Sequence, residues 1–144
     1  MSYTVDVNIL LYASDTSSPH HARALEFLQA CGDRPEILCL TWPTLMAYLR
    51  ISTHPAVFQV PLTPEEAMGN IEAFLRLPQV RLISEEDGFW GKYRQATGGM
   101  AVRGNLVPDA HLAALLLQHG VGVIYTNDSD FRKFPFLTVR NPLD

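Results

Sequence analysis

Residues Pro108 to Asp130 read PDAHLAALLLQHGVGVIYTNDSD, and this stretch decides the fold. Pro108 to His119 is a well-marked helix: it is apolar over most of its length, Asp109 falls in the first turn where the helix dipole favours an anion, and Gly120 closes it. Val121 to Tyr125 follows as a buried strand, and Thr126-Asn127-Asp128-Ser129-Asp130 as a polar, acidic turn. A helix that runs straight into a strand is one unit of an alternating α/β chain.

The same alternation extends towards the N-terminus. Tyr3 to Val5 is β-prone and ends on Asp6; Ile9 to Ala13 continues apolar, so the segment reads as a strand carrying an aspartate at its C-terminal end, with a turn at Ser14 to Pro19. Helical spacing from His20 ends near Cys31-Gly32, and Ile37 to Leu40 is the second strand. Thr41-Trp42-Pro43-Thr44 opens a helix that buries Leu45, Met46, Tyr48, Leu49 and Ile51 and stops at His54-Pro55. Thr63-Pro64-Glu65-Glu66 is a strong helix start, with Ala67, Met68, Ile71, Phe74 and Leu75 turned inward. Val80 to Ile83 is a short strand, and Glu85 to Gly98 a helix with Phe89, Trp90 and Tyr93 as its apolar members. The expected architecture is one domain over residues 1–144, an α/β sandwich with a mostly parallel sheet whose last strand is Val121 to Tyr125.

Composition narrows the function. At 144 residues, 47% hydrophobic and 18% charged, the chain has enough apolar material for one real core. No apolar run approaches the ~20 residues that span a bilayer, and the first residues lack a signal-peptide pattern, so a soluble cytoplasmic protein is expected. Cys31 and Cys39 form no metal-ligand pattern and read as reduced, small apolar residues. A net charge of -4 argues against gripping nucleic acid with the whole surface. Basic residues do recur locally, at Arg50 and His54, at Lys92, Arg94 and Arg103, and at Arg132 and Lys133.

The acids carry the chemistry. In open parallel sheets, ligands sit outside the carboxyl ends of the strands. Asp6 ends the first strand, Asp128 follows the last, and Asp109 begins the helix between, so all three can meet at one edge. Such a group repels itself unless a cation sits in it, and hard Mg²⁺ or Mn²⁺ suits carboxylate oxygens. Metal-assisted phosphodiester hydrolysis then needs no nucleophilic side chain. Taken singly, each acid also fits a structural role as a turn, cap or helix-dipole residue. His111, two residues after Asp109, points to another helix face and is a poor co-ligand.

Taken together, Asp6-Val7-Asn8-Ile9-Leu10-Leu11, Asp109-Ala110-His111-Leu112-Ala113-Ala114 and Thr126-Asn127-Asp128-Ser129-Asp130-Phe131 resemble the hallmark segments of PIN-domain ribonucleases, specifically VapC-type toxins. The likeness runs in order over essentially the whole chain, including Leu49 to Pro55 and Arg140 to Leu143. It implies a PIN-like three-layer α/β/α sandwich with a twisted sheet, a Mg²⁺- or Mn²⁺-dependent endoribonuclease acting on transfer or ribosomal RNA, a homodimer, and a VapB-type antitoxin that blocks the site. By position, Asp6, Asp109 and Asp128 become catalytic metal ligands, Asp130 lies beside them or ligates occasionally, and Asn8 orients water or Asp6. Arg50 and Arg103 become candidate contacts to RNA phosphates; for Trp42, burial is expected over base stacking.

One departure stands out. Relatives of this kind carry a glutamate in a Thr-x-x-Glu-Leu pattern, where this chain has Thr41-Trp42-Pro43-Thr44-Leu45. Thr44 removes one negative charge, which favours one-metal chemistry, and it is expected to cap its helix or to act through a water. Two rivals therefore accompany the toxin reading: a PIN-like RNA- or protein-binding module of weak catalysis, and a metal phosphodiesterase acting on DNA.

Overall fold

The computed structural model describes residues 1–144. Its elements run β1 (Ser2–Val5), α1 (Val7–Ser14), α2 (His21–Cys31), β2 (Ile37–Thr41), α3 (Trp42–Ser52), α4 (Pro64–Arg76), β3 (Val80–Ile83), α5 (Phe89–Ala96), α6 (Leu106–Gln118), β4 (Val123–Tyr125), a 3-10 turn (Ser129–Lys133) and β5 (Thr138–Arg140). The five strands form one sheet in the order β3-β2-β1-β4-β5. Every pairing is parallel. The chain therefore builds outward from β1 on one side through β2 and β3, then returns to the other side with β4 and β5. The join between β1 and β4 is the point where strand order reverses, which is where open α/β sheets bind ligands.

Side-chain alternation along the strands splits the core into two layers. Tyr3, Val5, Leu38 and Leu40 face α1 to α4 in one cluster with Ile9, Leu10, Leu45, Tyr48 and Ile71. Cys39, Ile83 and Ile124 face the other way, towards α6 and the 3-10 turn, in a cluster with Ala113, Leu116, Phe131 and Phe134. The result is the expected three-layer sandwich. Both cysteines are buried and free, and no helix is long and apolar enough to cross a membrane.

Several expectations give way to local chemistry. Ile9 to Ala13 is helix rather than strand: Asp6 adopts an extended backbone and its Oδ1 accepts from the Val7 amide, which starts α1 at once. A short run that is apolar throughout has no period to separate the two states. The helix read over Glu85 to Gly98 covers only Phe89–Ala96, because Gly88 takes a left-handed φ of 83° and ends a turn. Trp90, Trp42, Met46 and Met68 are exposed, not inward. The strand β5 has only three residues, one of them apolar, too short a run to mark a strand by its pattern, and it pairs only with β4. At Thr63, by contrast, the full capping box forms: Thr63 Oγ1 accepts from the Glu66 amide and Glu66 Oε1 from the Thr63 amide.

Candidate metal centre

Asp6 stands where β1 turns into α1, and its backbone amide still donates to the Tyr125 carbonyl of β4 at 2.9 Å. That bond fixes it at the β1–β4 join. Its side chain is only 9% exposed, and both oxygens are held: Oδ1 accepts from the Val7 amide at 2.8 Å and Oδ2 from the Thr126 hydroxyl at 2.8 Å. Each oxygen keeps a further acceptor site.

Thr126, 1% exposed at the end of β4, is the hub. Its Oγ1 donates to Asp6 and accepts from the Asp128 amide at 2.9 Å and from Asn8 Nδ2 at 3.3 Å. One hydroxyl thus ties the first acidic segment to the last. Asn8 acts on Asp6 through Thr126, and its own Oδ1 is buried without a partner. The sequence pattern alone assigns Thr126 no role; the signal it carries is a β-branched hydroxyl directly before an acidic turn.

Asp128 caps the 3-10 turn, its Oδ1 accepting from the Asp130 amide at 2.9 Å. That turn brings Asp130 round beside Asp128. Asp109, in the first turn of α6, completes the group: one carboxylate oxygen from each of Asp109, Asp128 and Asp130 lies within 4.8 Å of the others. Asp6 lies outside this trio and instead shares a cleft of ≈ 100 Å³ with Asp109. Pro43, Thr44 and Ala47 of α3 form one wall of the cleft, and Pro108 and Leu112 of α6 the other.

The electrostatics follow from the crowding. Burial, then the charges of Asp128, Asp6 and Asp130, push the Asp109 carboxyl up to about 6, against a smaller opposing pull from Lys133. Burial also raises Asp6, with Asp128 adding to it and the Thr126 and Val7 hydrogen bonds opposing it. Lys133 reaches Asp130 at 3.5 Å. It is the one cation paired with the group.

Other expected residues fall into place unequally. Thr44 lines the cleft at 6% exposure, but it does not cap α3. Thr41 does, its Oγ1 accepting from the Thr44 amide at 3.2 Å and donating to Thr44 Oγ1 at 2.9 Å. Arg103 is exposed in the loop that leads into α6, on the side of Asp109. Arg50 is exposed in the last turn of α3, the end opposite Thr44, and the two lie about 9 Å apart along the helix axis. Neither arginine is ion-paired with the acids. His111 turns to Glu85, 2.6 Å away, as its helix position requires.

Three carboxylate oxygens so close together, one of them on an acid with a raised pKa, fit a divalent cation: a +2 charge relieves the repulsion that raises it. Comparison with known proteins agrees with this chemistry. A family model described as the PIN domain matches residues 3–137. Ribonuclease VapC48 of Mycobacterium tuberculosis is 44% identical over 142 residues, covering 99% of this chain and 98% of the relative. Among solved structures, VapBC2 from Rickettsia felis bound to a DNA fragment from its promoter superposes with a TM-score of 0.68 at 17% identity, covering 98% of both chains. VapC20 of Mycobacterium tuberculosis, a sarcin-ricin loop cleaving toxin, does so at 0.66 and 16%, covering 96% of this chain and 98% of that one. With a whole-length relative at that identity and its four acids at the strand-order reversal, the chain belongs to the PIN-domain family.

Proposed function

We propose that this protein is a divalent-metal-dependent endoribonuclease, the toxin of a toxin–antitoxin pair. The observation that carries the reading is the convergence of Asp109, Asp128 and Asp130 within 4.8 Å beside the cleft that holds Asp6. Relatives named ribonucleases over the full length of the chain supply the substrate class, and the VapBC neighbour supplies the antitoxin partner. The sarcin-ricin loop cleaved by VapC20 makes structured ribosomal RNA, alongside transfer RNA, the first substrate to try. A homodimer is the expected assembly.

In this reading Asp109, Asp128 and Asp130 hold Mg²⁺ or Mn²⁺. A bound ion of this kind polarises a phosphoryl oxygen and lowers the pKa of its water. The rest belongs to the protein. Thr126 holds the Asp6 carboxylate in one orientation, so that its remaining acceptor positions are available to a water in the cleft. Asp6, its pKa raised by burial, is suited to accept a proton from that water. The apolar wall of Pro43, Ala47, Pro108 and Leu112 flanks the Asp6 and Asp109 carboxylates. Thr44 places a neutral hydroxyl where a fifth acid would add charge, which favours a single ion.

Purified protein incubated with total RNA in Mg²⁺, Mn²⁺ or chelator, beside Asp6→Ala and Asp109→Ala variants, tests the proposal. Discrete cleavage that needs metal and disappears in both variants is expected. Thr44 favours the binding-module reading, and RNA binding without cleavage in any metal selects it; cleavage of DNA alone selects the phosphodiesterase.

A further inference from the structure

We propose that Arg132, with Ser129 beside it, holds the RNA phosphate next to the scissile one, in a polar cleft that shares Asp128 with the acid trio. The proposal rests on the ribonuclease reading. The cleft, ≈ 70 Å³, lies at the carboxyl ends of β4 and β5. Asp128, Ser129 and Arg132 line it, Val139 is its one apolar member, and the Asn127–Asn141 hydrogen bond of 2.9 Å spans the two strand ends. Its lining overlaps the metal centre: Asp128 gives a carboxylate oxygen to the trio, and the Thr126 hydroxyl, also in the lining, donates to Asp6.

The 3-10 turn gives its three faces separate tasks, because residues three apart eclipse one another in such a turn. Phe131 and Phe134 share one face and are fully buried. Asp130 and Lys133 share the next, where they pair at 3.5 Å and Asp130 joins Asp109 and Asp128. Ser129 and Arg132 share the third, which is exposed and lines the cleft. Two acids stand within four residues of Arg132, yet its side chain makes no ion pair or hydrogen bond within the protein; Lys133 takes Asp130, and Lys133 is the cation that opposes the rise at Asp109. The asparagine amides of the cleft are occupied, Asn141 Nδ2 by Asn127 Oδ1 and Asn127 Nδ2 by the Tyr12 hydroxyl at 3.4 Å. What the cleft leaves free is a guanidinium fork and a hydroxyl, donors matched to phosphate oxygens. With no aromatic ring in its lining, it offers a base no stacking surface. Asp128 alone would repel an anion there; a cation at the trio offsets that charge, so the phosphate site forms together with the metal centre. A contact of this kind reads no sequence, but it fixes the register of the strand and so presents the adjoining phosphate to the acids.

Labelled oligouridylate and ribosomal RNA are bound in Mn²⁺ by Asp6→Ala protein, which leaves the strand whole, with and without Arg132→Ala, and filter retention is followed over a range of KCl. Arg132→Ala is expected to weaken both RNAs about tenfold, the scale of one charge-assisted contact. It should also lower the slope of log affinity against log salt by about 0.7 to 0.9, the counterions of one phosphate. Arg132→Lys keeps the charge without the fork, so it should restore the slope and part of the affinity. Arg76→Ala, which removes the same charge from α4, controls for net charge. With Asp6 intact, Arg132→Ala should need about tenfold more RNA for half-maximal cleavage and reach the wild-type rate at saturation, since the contact is equal in ground and transition states. Affinity and slope equal to the parent's, or losses no greater than those of Arg76→Ala, overturn the proposal. So does an Arg132→Ala protein whose Mn²⁺-induced shift in melting temperature departs from the parent's, because the arginine then acts on the metal centre, and so does the absence of any RNA binding by the parent. Cleavage with RNA affinity indifferent to Arg132 sinks the phosphate site alone; Arg132-dependent binding without cleavage in any metal sinks the nuclease reading alone.

Discussion

Thr126 Oγ1 donates to Asp6 Oδ2 across 2.8 Å, joining residues 120 positions apart at the β1–β4 join. Because the same oxygen receives the Asp128 amide, it sets the distance between two acids as well as the orientation of one. Thr126→Val keeps the shape and removes both functions. It should cost about 1–3 kcal/mol of stability, since a buried carboxylate loses its donor. Cleavage should fall by about 100-fold, the scale of a positional error at a reacting group. Thr126→Ser restores the hydroxyl and should recover most of both. Denaturant midpoints and cleavage rates for the pair decide the matter; a Val variant as active as wild type would show that Asp6 is positioned by Val7 alone.

Asp109 links stability to pH in an uncommon direction. Its folded pKa, about 6, is raised above the ordinary 3.8. The folded state therefore holds this proton more tightly than the unfolded state, and the stability so gained is complete below pH 3.8 and is lost as pH rises through about 6. In chelator, Asp109→Asn should be more stable than wild type at pH 7.5, and the two should converge as the pH falls towards 4. Thermal melts across that range check the sign. A variant less stable than wild type at neutral pH would remove the carboxylate crowding from the argument.

Metal should reverse this ordering. An ion that binds only the folded state stabilises it by about 2.7 kcal/mol at a hundredfold excess over its dissociation constant. Mn²⁺ or Mg²⁺ should therefore raise the wild-type melting temperature and suppress the acid-side gain. Asp109→Asn and Asp128→Asn should show little or no shift, because each breaks the trio of oxygens. A full shift in either variant would move the ion elsewhere.

Tyr48 offers a test of packing away from the acids. It is fully buried in α3, yet its hydroxyl contacts Ser14 of α1 at 2.7 Å and receives Asn70 of α4 at 2.8 Å. Three helices of one layer meet on that oxygen. Tyr48→Phe should cost about 1–2 kcal/mol by leaving two polar groups unpaired, with RNA cleavage per folded molecule unchanged. Chemical denaturation alongside an activity assay separates the two effects.

The residues explain what the sequence made legible. Asp109 and Asp128 fall at the sheet edge that the pattern predicts because a long apolar helix, closed by Gly120, and a short apolar strand surround them, and those elements depend on local pattern alone. Asp6 lies at the expected edge although the segment after it has the pattern of a strand; its own carboxylate, as a cap, is what turns the chain into α1. What stayed hidden depends on contacts between distant segments. Neither the Thr126–Asp6 bond nor the closeness of Asp130 to Asp109 follows from spacing, because each needs the sheet order and the 3-10 turn. Trp42 misled for the same reason: an aromatic at a helix start is ordinarily core, and only the tertiary fold shows its flank uncovered.

Thr44 is the place to alter the site rather than break it. It lines the cleft with Asp6 and Asp109, and its hydroxyl receives only the Thr41 Oγ1 donor. Thr44→Glu adds a carboxylate to a site where Asp109 is already raised by its neighbours. In chelator the variant should melt lower than wild type at pH 7.5, through repulsion and through crowding at a buried position. With Mn²⁺ the loss should be recovered and exceeded, because a further hard oxygen ligand strengthens a hard cation's site. Cleavage at low metal concentration should rise correspondingly, so the variant reaches half-maximal rate at less Mn²⁺ than wild type. Titrating rate and melting temperature against Mn²⁺ measures both. If Thr44→Glu loses stability in chelator but binds Mn²⁺ no more tightly, the added carboxylate does not reach the ion, and Thr44 belongs to the cleft wall rather than to the metal centre.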